Sequence, residues 1–481
     1  MIMKKIIYTL LLLTLCSRAS AQEGTAYGVI LQNSSQFSKI TNPLQILDYY
    51  VYLSQPSFAV IALMPTDDAM RSFVDPASYY VYMASGQVPQ MWKLNIDLTK
   101  TMSDQLSADV YDCTIDEDGN PVPEEVKRTT LTGLSNTSDV MTNRMKYLLD
   151  NSIVMGFYKE GNEYYKTLGN SYVRIRKEGG VYKITSPLYA HEVTATAYEA
   201  ENGLVLAMDS PIVPNRNSVS SILAQHPEFS QFFWAVQASG ASSLYNSFDY
   251  WVAGDQDFGN LLNTKQAGYI GAEDATKQKV TYLLNGYHYT IYAPTNAAMA
   301  EAFAAGLPDA EAINKAELLD EEEGLWGTPA SHTDSLREVL LDFVKYHIQD
   351  NALFLDNALE PGYFDSGKTE FVEKTNIDEE SGETVPSGTY TPGRPYRLQV
   401  RDGSKLVVTD NMGTTREVVK QDGLYNLVAS EYWTEGRTNT NPYMARLNNS
   451  SFVVIHAINK PLLYSADQFK YEYKPTGSYG N

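Results

Sequence analysis

The residue types that most often carry catalysis occur in this chain without forming a recognisable motif. The 481 residues include six histidines, two cysteines and 58 aspartates and glutamates. No HExxH, GxSxG or P-loop pattern joins them. Paired glycosidase carboxylates are defined by separations of about 5 to 10 Å, which a sequence does not reveal. We therefore predict no catalytic residues, and a secreted glycoside hydrolase is kept only as a further alternative.

Metal and cofactor sites are also not indicated. Residues 116–120, Asp-Glu-Asp-Gly-Asn, resemble the start of a calcium loop but lack the bidentate glutamate that such a loop needs. They are better explained as the turn of a hairpin centred on Asp118-Gly119. Once a leader is removed, Cys113 is the only cysteine, so no intramolecular disulfide can form. We predict an inert thiol on a strand, with no metal and no cofactor.

The first 21 residues have the organisation of a secretory signal peptide. Lys4 and Lys5 precede the apolar stretch Ile6–Leu15, and Ala-Ser-Ala stands before Gln22. Cleavage there predicts an exported protein in the periplasm, on the cell surface or outside the cell. Cys16 ends the apolar stretch and is a candidate lipidation site, so an outer-membrane lipoprotein is the alternative. No later segment reaches the roughly 18 to 20 apolar residues of a membrane span, so membrane contact is expected only through such an anchor.

The charge balance excludes one class of partner. The formal net charge is −21 at pH 7, and removal of a leader carrying three basic residues takes it to −24. A polyanion would be repelled, and no dense run of lysine and arginine overrides this field. We predict no nucleic-acid partner.

Two sequence patterns each occur twice, which predicts two related domains. Phe58–Phe73 reads FAVIALMPTDDAMRSF, and Tyr289–Phe303 reads YTIYAPTNAAMAEAF. Roughly 150 to 170 residues after each, VLAMDSPIV at Val205–Val213 and IHAINKPLL at Ile455–Leu463 form a second pair. The predicted division is a signal peptide at 1–21, domains at 22–214 and 215–465, and a flexible tail at 466–481.

In the first repeat, local patterns predict a helix over PLQILDYYVYL, residues 43–53, followed by a buried strand from Phe58 to Leu63. Pro65 ends that strand, and Thr66 or Asp67 caps the next helix. Short strands are predicted at 172–175, 181–184 and 204–208.

In the second repeat, two short helices are predicted on either side of Pro227. The acidic segment LLDEEEGLWG, residues 318–327, is predicted to be a surface loop. A capping box at Ser335–Glu338 is predicted to open a helix. Because His347 continues the apolar face of that helix, it is interpreted as a buried histidine satisfied by a hydrogen bond.

At these residues both repeats resemble the fasciclin domain. Ala293–Met299, APTNAAM, is similar to the family's opening signature, and Met64–Met70 is a looser copy. Tyr346-His347 resembles the middle signature, and Val453–Leu463 the closing one. The first repeat has Asn151-Ser152 where Tyr-His would stand, so it resembles a divergent copy.

The resemblance implies an α+β fold with two domains, each a wedge or sandwich of β-strands with packed helices. It implies adhesion or extracellular contact and no enzyme activity. The residues that carry it are candidates for adhesion or for a structural role: Pro65, Thr66, Asp67, Pro294, Thr295, Asn296, Tyr346, His347 and His456.

We therefore predict a non-catalytic adhesion or interaction protein of the bacterial cell envelope, with an extracellular or envelope protein as partner. The alternative is a glycan-binding accessory protein of an outer-membrane nutrient-uptake complex, with a polysaccharide as partner. It is motivated by 35 tyrosines and by the clusters Tyr79-Tyr80 with Tyr82 and Tyr164-Tyr165. Three insertions, at 112–128, 318–334 and 376–395, are predicted to carry specificity.

Overall fold

The computed structural model describes residues 23–470, apart from 77, 79–89, 98, 101–105, 117–120, 133–135, 186–191, 213–218, 241–287, 326–327, 329, 360, 378–380, 383, 402–405, 422 and 436–445. The predicted signal peptide with Cys16, the cluster of Tyr79, Tyr80 and Tyr82, the Asp118-Gly119 turn and the last eleven residues lie outside the described part of the chain. None of the described helices is long and apolar enough to cross a membrane.

The chain divides into two compact units. Unit 1 comprises Met1–Asn215 with Tyr432–Asn449, and unit 2 comprises Arg216–Glu431 with Ser450–Asn481.

In the described residues of unit 1, five helices are combined with a large and a small sheet. In chain order the elements are α1 Ala26–Gln32, α2 Ser34–Ile46, α3 Tyr50–Ser54, β1 Val60–Pro65, α4 Asp67–Ser72, β2 Gln90–Ile96, β3 Leu106–Ile115, β4 Pro121–Thr132, α5 Asn136–Ser152, β5 Ile153–Met155, β6 Tyr164–Lys166, β7 Tyr172–Glu178, β8 Val181–Thr185, β9 Val193–Ala200 and β10 Gly203–Met208.

Unit 2 repeats the scheme with longer strands. Its elements are α6 Val219–Gln225, a 3₁₀ turn Pro227–Phe229, α7 Ser230–Gly240, β11 His288–Pro294, α8 Asn296–Ala304, α9 Ala310–Glu323, α10 His332–Tyr346, β12 Ile348–Asp350, β13 Gly362–Ile377, β14 Thr384–Arg401, β15 Val407–Thr409, β16 Thr415–Glu417, β17 Leu427–Glu435 and β18 Arg446–Ile458. The last two strands cross the division between the units, because residues 432–435 and 446–449 are counted with unit 1.

The strand of the opening motif lies inside both large sheets, with a paired strand on each side. In unit 1, β1 pairs parallel with β10 and antiparallel with β5, in the order β5-β1-β10-β9-β8-β7-β6. In unit 2, β11 pairs parallel with β18 and antiparallel with β12. Bridges between Val154 and Thr167 and between Val418 and Ile458 curl each sheet towards closure. The predicted class, two α+β domains with helices packed on curled sheets, is confirmed.

Each central strand is buried on both faces because it separates two hydrophobic cores. In β1, Val60 and Ala62 face the core shared with the helices, whereas Ile61 and Leu63 face a second core inside the curl of the sheet. A strand buried on both sides needs a continuous apolar run rather than alternation. That requirement explains why the sequence of this strand is conspicuous in both repeats.

Two further antiparallel elements extend the basic scheme. In unit 1, β2, β3 and β4 form a separate three-stranded antiparallel sheet, with β4 at one end. In unit 2, β13 and β14 pair along their length, but β12 meets β13 only at Ser366 and β15 meets β14 only at residues 399–401. Residues 369–377 and 384–395 therefore form a two-stranded ribbon that extends beyond the main sheet.

Residues 318–323 of the acidic segment predicted as a loop instead form the end of α9, so the prediction is wrong for them, while residues 326–327 lie outside the described part of the chain. Asp309 caps the helix through a 2.9 Å bond from the Ala312 N–H, and Gly324 ends it with a φ of +68°. Ile313, Ala316 and Asp320 are buried on one face. This packing outweighs the unfavourable position of three glutamates near the negative end of the helix dipole.

Two helix boundaries were also predicted wrongly. The helix α10 begins at His332, because Ser331, rather than Ser335, accepts a bond from the Asp334 N–H. The single helix predicted over residues 43–53 is interrupted at Asp48, whose φ is +62°. The two short helices on either side of Pro227 are confirmed.

Candidate functional site

The threonine of the opening motif caps one helix and anchors the closing strand. Thr66 Oγ1 accepts the Ala69 N–H at 3.2 Å, and Thr295 Oγ1 accepts the Ala298 N–H at 3.4 Å. The backbone N–H of each threonine also donates to the last residue of the neighbouring parallel strand, Met208 at 3.0 Å in unit 1 and Ile458 at 3.1 Å in unit 2. The cap predicted at Thr66 is therefore confirmed, the equivalent cap is present at Thr295, and each threonine also binds the end of the closing strand.

The preceding prolines occupy the last position of a buried strand. Pro65 lies opposite Met208, and Pro294 lies opposite Ile458. Proline has no N–H to donate to a ladder, so it ends the strand without leaving a buried donor. The chain is then free to turn into the capped helix.

The third motif residue caps a different helix, which the sequence reasoning missed. In unit 2, Asn296 Oδ1 accepts the Gln231 N–H at 3.0 Å, and its Nδ2 donates to the Pro227 carbonyl at 2.9 Å. In unit 1, Asp67 Oδ1 accepts the Lys39 N–H at 2.7 Å, and Ser38 Oγ donates to Oδ2.

A signal for this second cap was present in the sequence. The two capped segments both contain Phe-Ser, at Phe37-Ser38 and at Phe229-Ser230, and both phenylalanines are fully buried. Phe37 has non-helical backbone angles, so residues 38–46 form a separate helical segment that needs a cap of its own. Pro-Thr-Asp/Asn thus stabilises two helix starts and a strand end.

His347 is fully buried, and both of its ring nitrogens are engaged. Its Nδ1 lies 2.8 Å from the Phe343 carbonyl, which can only accept, so Nδ1 carries the hydrogen. Its Nε2 accepts the Leu462 N–H at 3.0 Å. Burial lowers the pKa of His347 to about 3, so the ring is neutral. The prediction of a hydrogen-bonded core histidine agrees with this geometry.

Tyr346 contacts the closing segment, residues 453–464, through Asn411 and through Tyr464. Its hydroxyl accepts the Asn411 N–H at 2.7 Å, and Asn411 Nδ2 donates to the Tyr464 carbonyl at 2.8 Å. The Tyr346 ring packs edge-on against Tyr464, with centroids 5.4 Å apart. Burial raises the pKa of the Tyr346 hydroxyl, which stays protonated.

A buried ion pair also binds the closing segment, and no sequence pattern indicated this pair. Arg416 Nη2 lies 3.3 Å from Asp410 Oδ2, and both side chains are almost fully buried. Arg416 Nε donates to the Pro461 carbonyl at 2.8 Å, and Asp410 Oδ2 accepts the Leu463 N–H at 3.1 Å. With His347, these bonds fix the backbone of three consecutive residues of the closing motif.

His456 is the second fully buried histidine described in unit 2, and it carries its hydrogen on the other ring nitrogen. Its Nε2 lies 2.8 Å from the Leu353 carbonyl and so carries the hydrogen, while Nδ1 accepts the Asn426 N–H at 3.2 Å. Burial lowers its pKa to about 4. Its ring stacks beside Tyr292, whose hydroxyl donates to Gln349 at 2.8 Å.

Unit 1 replaces this polar arrangement with a simpler one. The strand registers place Ser152 where His347 stands and Leu206 where His456 stands. Ser152 Oγ donates to the Leu148 carbonyl at 2.7 Å, the same contact with the fourth preceding residue that His347 makes. No described bond links Ser152 to the closing segment. Among the described hydrogen bonds, the bond from the end of this helix to the closing motif is seen in unit 2.

The remaining chemically suggestive residues do not assemble into a site. Within the described residues, no three His, Cys, Asp or Glu side chains are grouped to hold a metal ion. Burial beside Asp112 and Glu124 raises the pKa of Cys113 on β3 to about 11, which keeps the thiol protonated. Tyr164 and Tyr165 are each only 8% exposed, so this pair belongs to the core and offers no surface for a glycan.

Comparison with known proteins gives one kind of match. No family model matches the chain, and no curated protein matches it. A similar solved structure is the FAS1 domain pair of the insect cell adhesion molecule fasciclin I. It is 13% identical, covers 92% of this chain and 97% of its own, and has a TM-score of 0.24. The match is to a pair of the domains that the motifs resemble.

Proposed function

We propose that this protein is an exported, non-catalytic adhesion or interaction protein of the bacterial cell envelope. The sequence of residues 1–21 supports export, and the fasciclin-like motifs in both repeats support an interaction role. An extracellular or envelope protein is the proposed partner. The proposed position is the periplasm or cell surface, with a lipid anchor at Cys16 as the alternative.

The observation that carries the proposal is that the polar side chains of the motifs already make hydrogen bonds within the protein. Both histidines donate and accept within the core, and Thr295 and Asn296 cap helices. A general base needs a ring nitrogen that can reach a substrate, and neither buried histidine offers one. Binding is therefore expected on elements that project from the scaffold.

The ribbon of residues 369–377 and 384–395 is the proposed recognition element. Nine residues of strand reach about 30 Å. Two-stranded hairpins are marginally stable alone, and this one carries exposed apolar side chains at Val372 and Ile377, 50% and 72% exposed. Contact with a partner would bury these side chains and stabilise the ribbon. The predicted insertion at 376–395 includes the last two described residues of β13 and the ribbon part of β14, residues 384–395.

A shortened protein tests the proposal. Residues 369–395 are replaced by an Asn-Gly turn, which keeps the pairing of Asp365 with Arg397 at the base. Retention on native envelope material is then compared with that of the full chain, and circular dichroism monitors the fold. We expect at least a 10-fold loss of retention with an unchanged thermal midpoint.

A point variant with a matched control sharpens the test. Ile377→Glu places a charge on the ribbon, whereas Met412→Glu does so at an exposed apolar residue outside it, 47% exposed. Only Ile377→Glu is expected to weaken binding. Equal retention of the shortened protein and the full chain would refute the ribbon as the binding element. Mass spectrometry of the mature N-terminus distinguishes cleavage at Gln22 from acylation at Cys16.

A further inference from the structure

The outer edge of β4 is open and exposed. This strand ends the three-stranded sheet, and no described strand pairs with its other side. Residues 124–130 are all exposed, and Val126 is 76% exposed. An exposed strand edge presents unpaired N–H and C=O groups and is a template for another strand.

The charge sequence of this edge is complementary to itself. Glu124-Glu125 and Lys127-Arg128 lie on either side of Val126. In an antiparallel pair of two such strands, a two-fold axis at Val126 places each Glu125 opposite Lys127 and each Glu124 opposite Arg128. We propose that two copies of the chain associate by antiparallel pairing of β4 about this axis. The proposal does not depend on the ribbon of unit 2.

The ion pairs within one copy favour this arrangement. Lys127 Nζ lies 3.2 Å from Asp109, and Arg128 Nη1 lies 2.8 Å from Asp112, both across to β3. Glu124 and Glu125 have no ion pair among the described residues. A second copy supplies their partners and extends a ladder of alternating charge from β3 through both β4 strands.

The geometry of β4 also limits the strength of this contact. Pro121 and Pro123 lack N–H groups, so pairing is expected only after them. The register of β4 with β3 shifts on either side of Tyr111, which adds residues to β4 and twists the edge. The paired segment is therefore about five residues, and the dimer is expected to be weak and dependent on concentration.

Charge reversal and complementation test the register. In Glu124→Lys/Glu125→Lys all four charged positions become basic, and in Lys127→Glu/Arg128→Glu all four become acidic. Each variant alone should dimerise about 100-fold more weakly than the unchanged chain in sedimentation velocity, because four attractive pairs become repulsive. An equimolar mixture should recover association, as heterodimers seen by native mass spectrometry.

The matched control changes the charge equally elsewhere. Glu321→Lys/Glu322→Lys reverses two adjacent exposed glutamates on α9, and it should leave dimerisation unchanged. If the unchanged chain stays monomeric at millimolar concentration, the proposal is overturned. The prolines and register shifts of β4 would then act to prevent pairing of this edge with another strand. Failure of the mixed variants to associate would overturn the two-fold register.

Cross-linking gives an independent readout. The axis places Val126 opposite itself, at a Cα separation of about 5 Å that suits a disulfide. With Cys113→Ser, the variant Val126→Cys should form a disulfide-linked dimer on mild oxidation. Val122→Cys, also on β4 and 42% exposed, should not, because Val122 lies opposite Thr130. Equal cross-linking of both variants would contradict the proposed register.

Discussion

Unit 2 should lose stability selectively when the pH falls from 7.5 to 5.0. His347 and His456 are fully buried and neutral, with pKa values lowered to about 3 and about 4 from an ordinary value of 6.5. Their folded pKa values are depressed, so the unfolded chain binds more protons below pH 6.5, and stability falls as the pH drops. The only histidine of unit 1, His191, lies outside the described residues.

The size of the effect follows from the linkage relation. A pH of 5.0 lies about 1.5 units below the pKa of an unfolded histidine. Protonation in the unfolded chain therefore lowers the free energy of unfolding by about 2 kcal/mol for each ring that stays neutral in the fold. Two rings give about 4 kcal/mol, a large part of the roughly 5 to 15 kcal/mol that stabilises a domain. Burial and the nearby Arg416 cation both oppose a positive charge on His347.

The carboxylates with shifted pKa values described next do not hide the loss of unit 2 stability between pH 7.5 and 5.0. Burial alone would raise the pKa of Asp320, but hydrogen bonds from Thr333, Ser331 and His332 together lower it below its ordinary value, so its contribution is lost only at more acid pH. In unit 1, burial raises the pKa of Asp150. A raised carboxyl pKa costs stability at neutral pH, and acidification relieves that cost. The two units should therefore respond differently between pH 7.5 and 5.0.

The assay is urea unfolding at both pH values, followed by pulsed hydrogen exchange with mass spectrometry. Peptides from β11 and β12 report on unit 2, and peptides from β1 and β5 report on unit 1. We expect the unit 2 midpoint to fall by about 2 M, from about 4 kcal/mol divided by an m-value of about 2 kcal/mol/M, and the unit 1 midpoint to change little.

A variant separates the histidines from other titrating groups. His347→Gln/His456→Gln keeps a donor and an acceptor at each site but does not titrate. It should be less stable at pH 7.5 because the cores are repacked, yet its unit 2 midpoint should be nearly the same at both pH values. The reasoning is refuted if the wild-type unit 2 midpoint does not move, or if the pH dependence persists in the double variant.

Three further predictions concern the stability of the two units. Gly203→Ala should destabilise unit 1 by more than about 3 kcal/mol in urea unfolding. The new Cβ would lie 1.8 Å from the Val60 carbonyl oxygen, and the backbone φ of +147° is unfavourable for alanine. A soluble variant of wild-type stability would contradict this prediction. Thr295→Ala should cost unit 2 about 1 kcal/mol through loss of the cap, whereas Thr295→Ser should cost less, and equal losses would exclude the hydroxyl as the cause. Arg416→Met should cost about 3 kcal/mol because it leaves Asp410 buried without its cation, and a loss below 1 kcal/mol would show that the backbone donors to Asp410 suffice.

Much of the fold was predictable where one local property decides the structure. The strands β1 and β11 were found because burial on both faces demands an apolar run, and Thr66 and Thr295 because a cap needs a short oxygen-bearing side chain. The acidic half of α9 was predicted wrongly for the converse reason. Its local charges disfavour a helix, and only packing of Ile313 and Ala316 against the rest of unit 2 outweighs them.

The candidate site was predictable residue by residue but not as an assembly. Position on an apolar helix face indicated a buried His347, yet nothing near it in the sequence showed that Leu462 donates to the ring. Arg416 and Asp410 were missed because a single arginine and a single aspartate in strand and turn sequence look like surface residues. Their burial depends on contacts with Pro461 and Leu463, about 50 residues away.

The sequence by itself determined the duplication, the buried central strands, the capped helices and the absence of known catalytic motifs, because each depends on residue types within a few positions of one another. The tertiary structure decided what the motif residues do. It brings the Tyr346-His347 helix end, the Asp410–Arg416 pair and the closing segment together in unit 2, and it places no described strand beside the outer edge of β4. Hydrogen bonds between distant segments form only when packing removes water from them, and no local pattern encodes that.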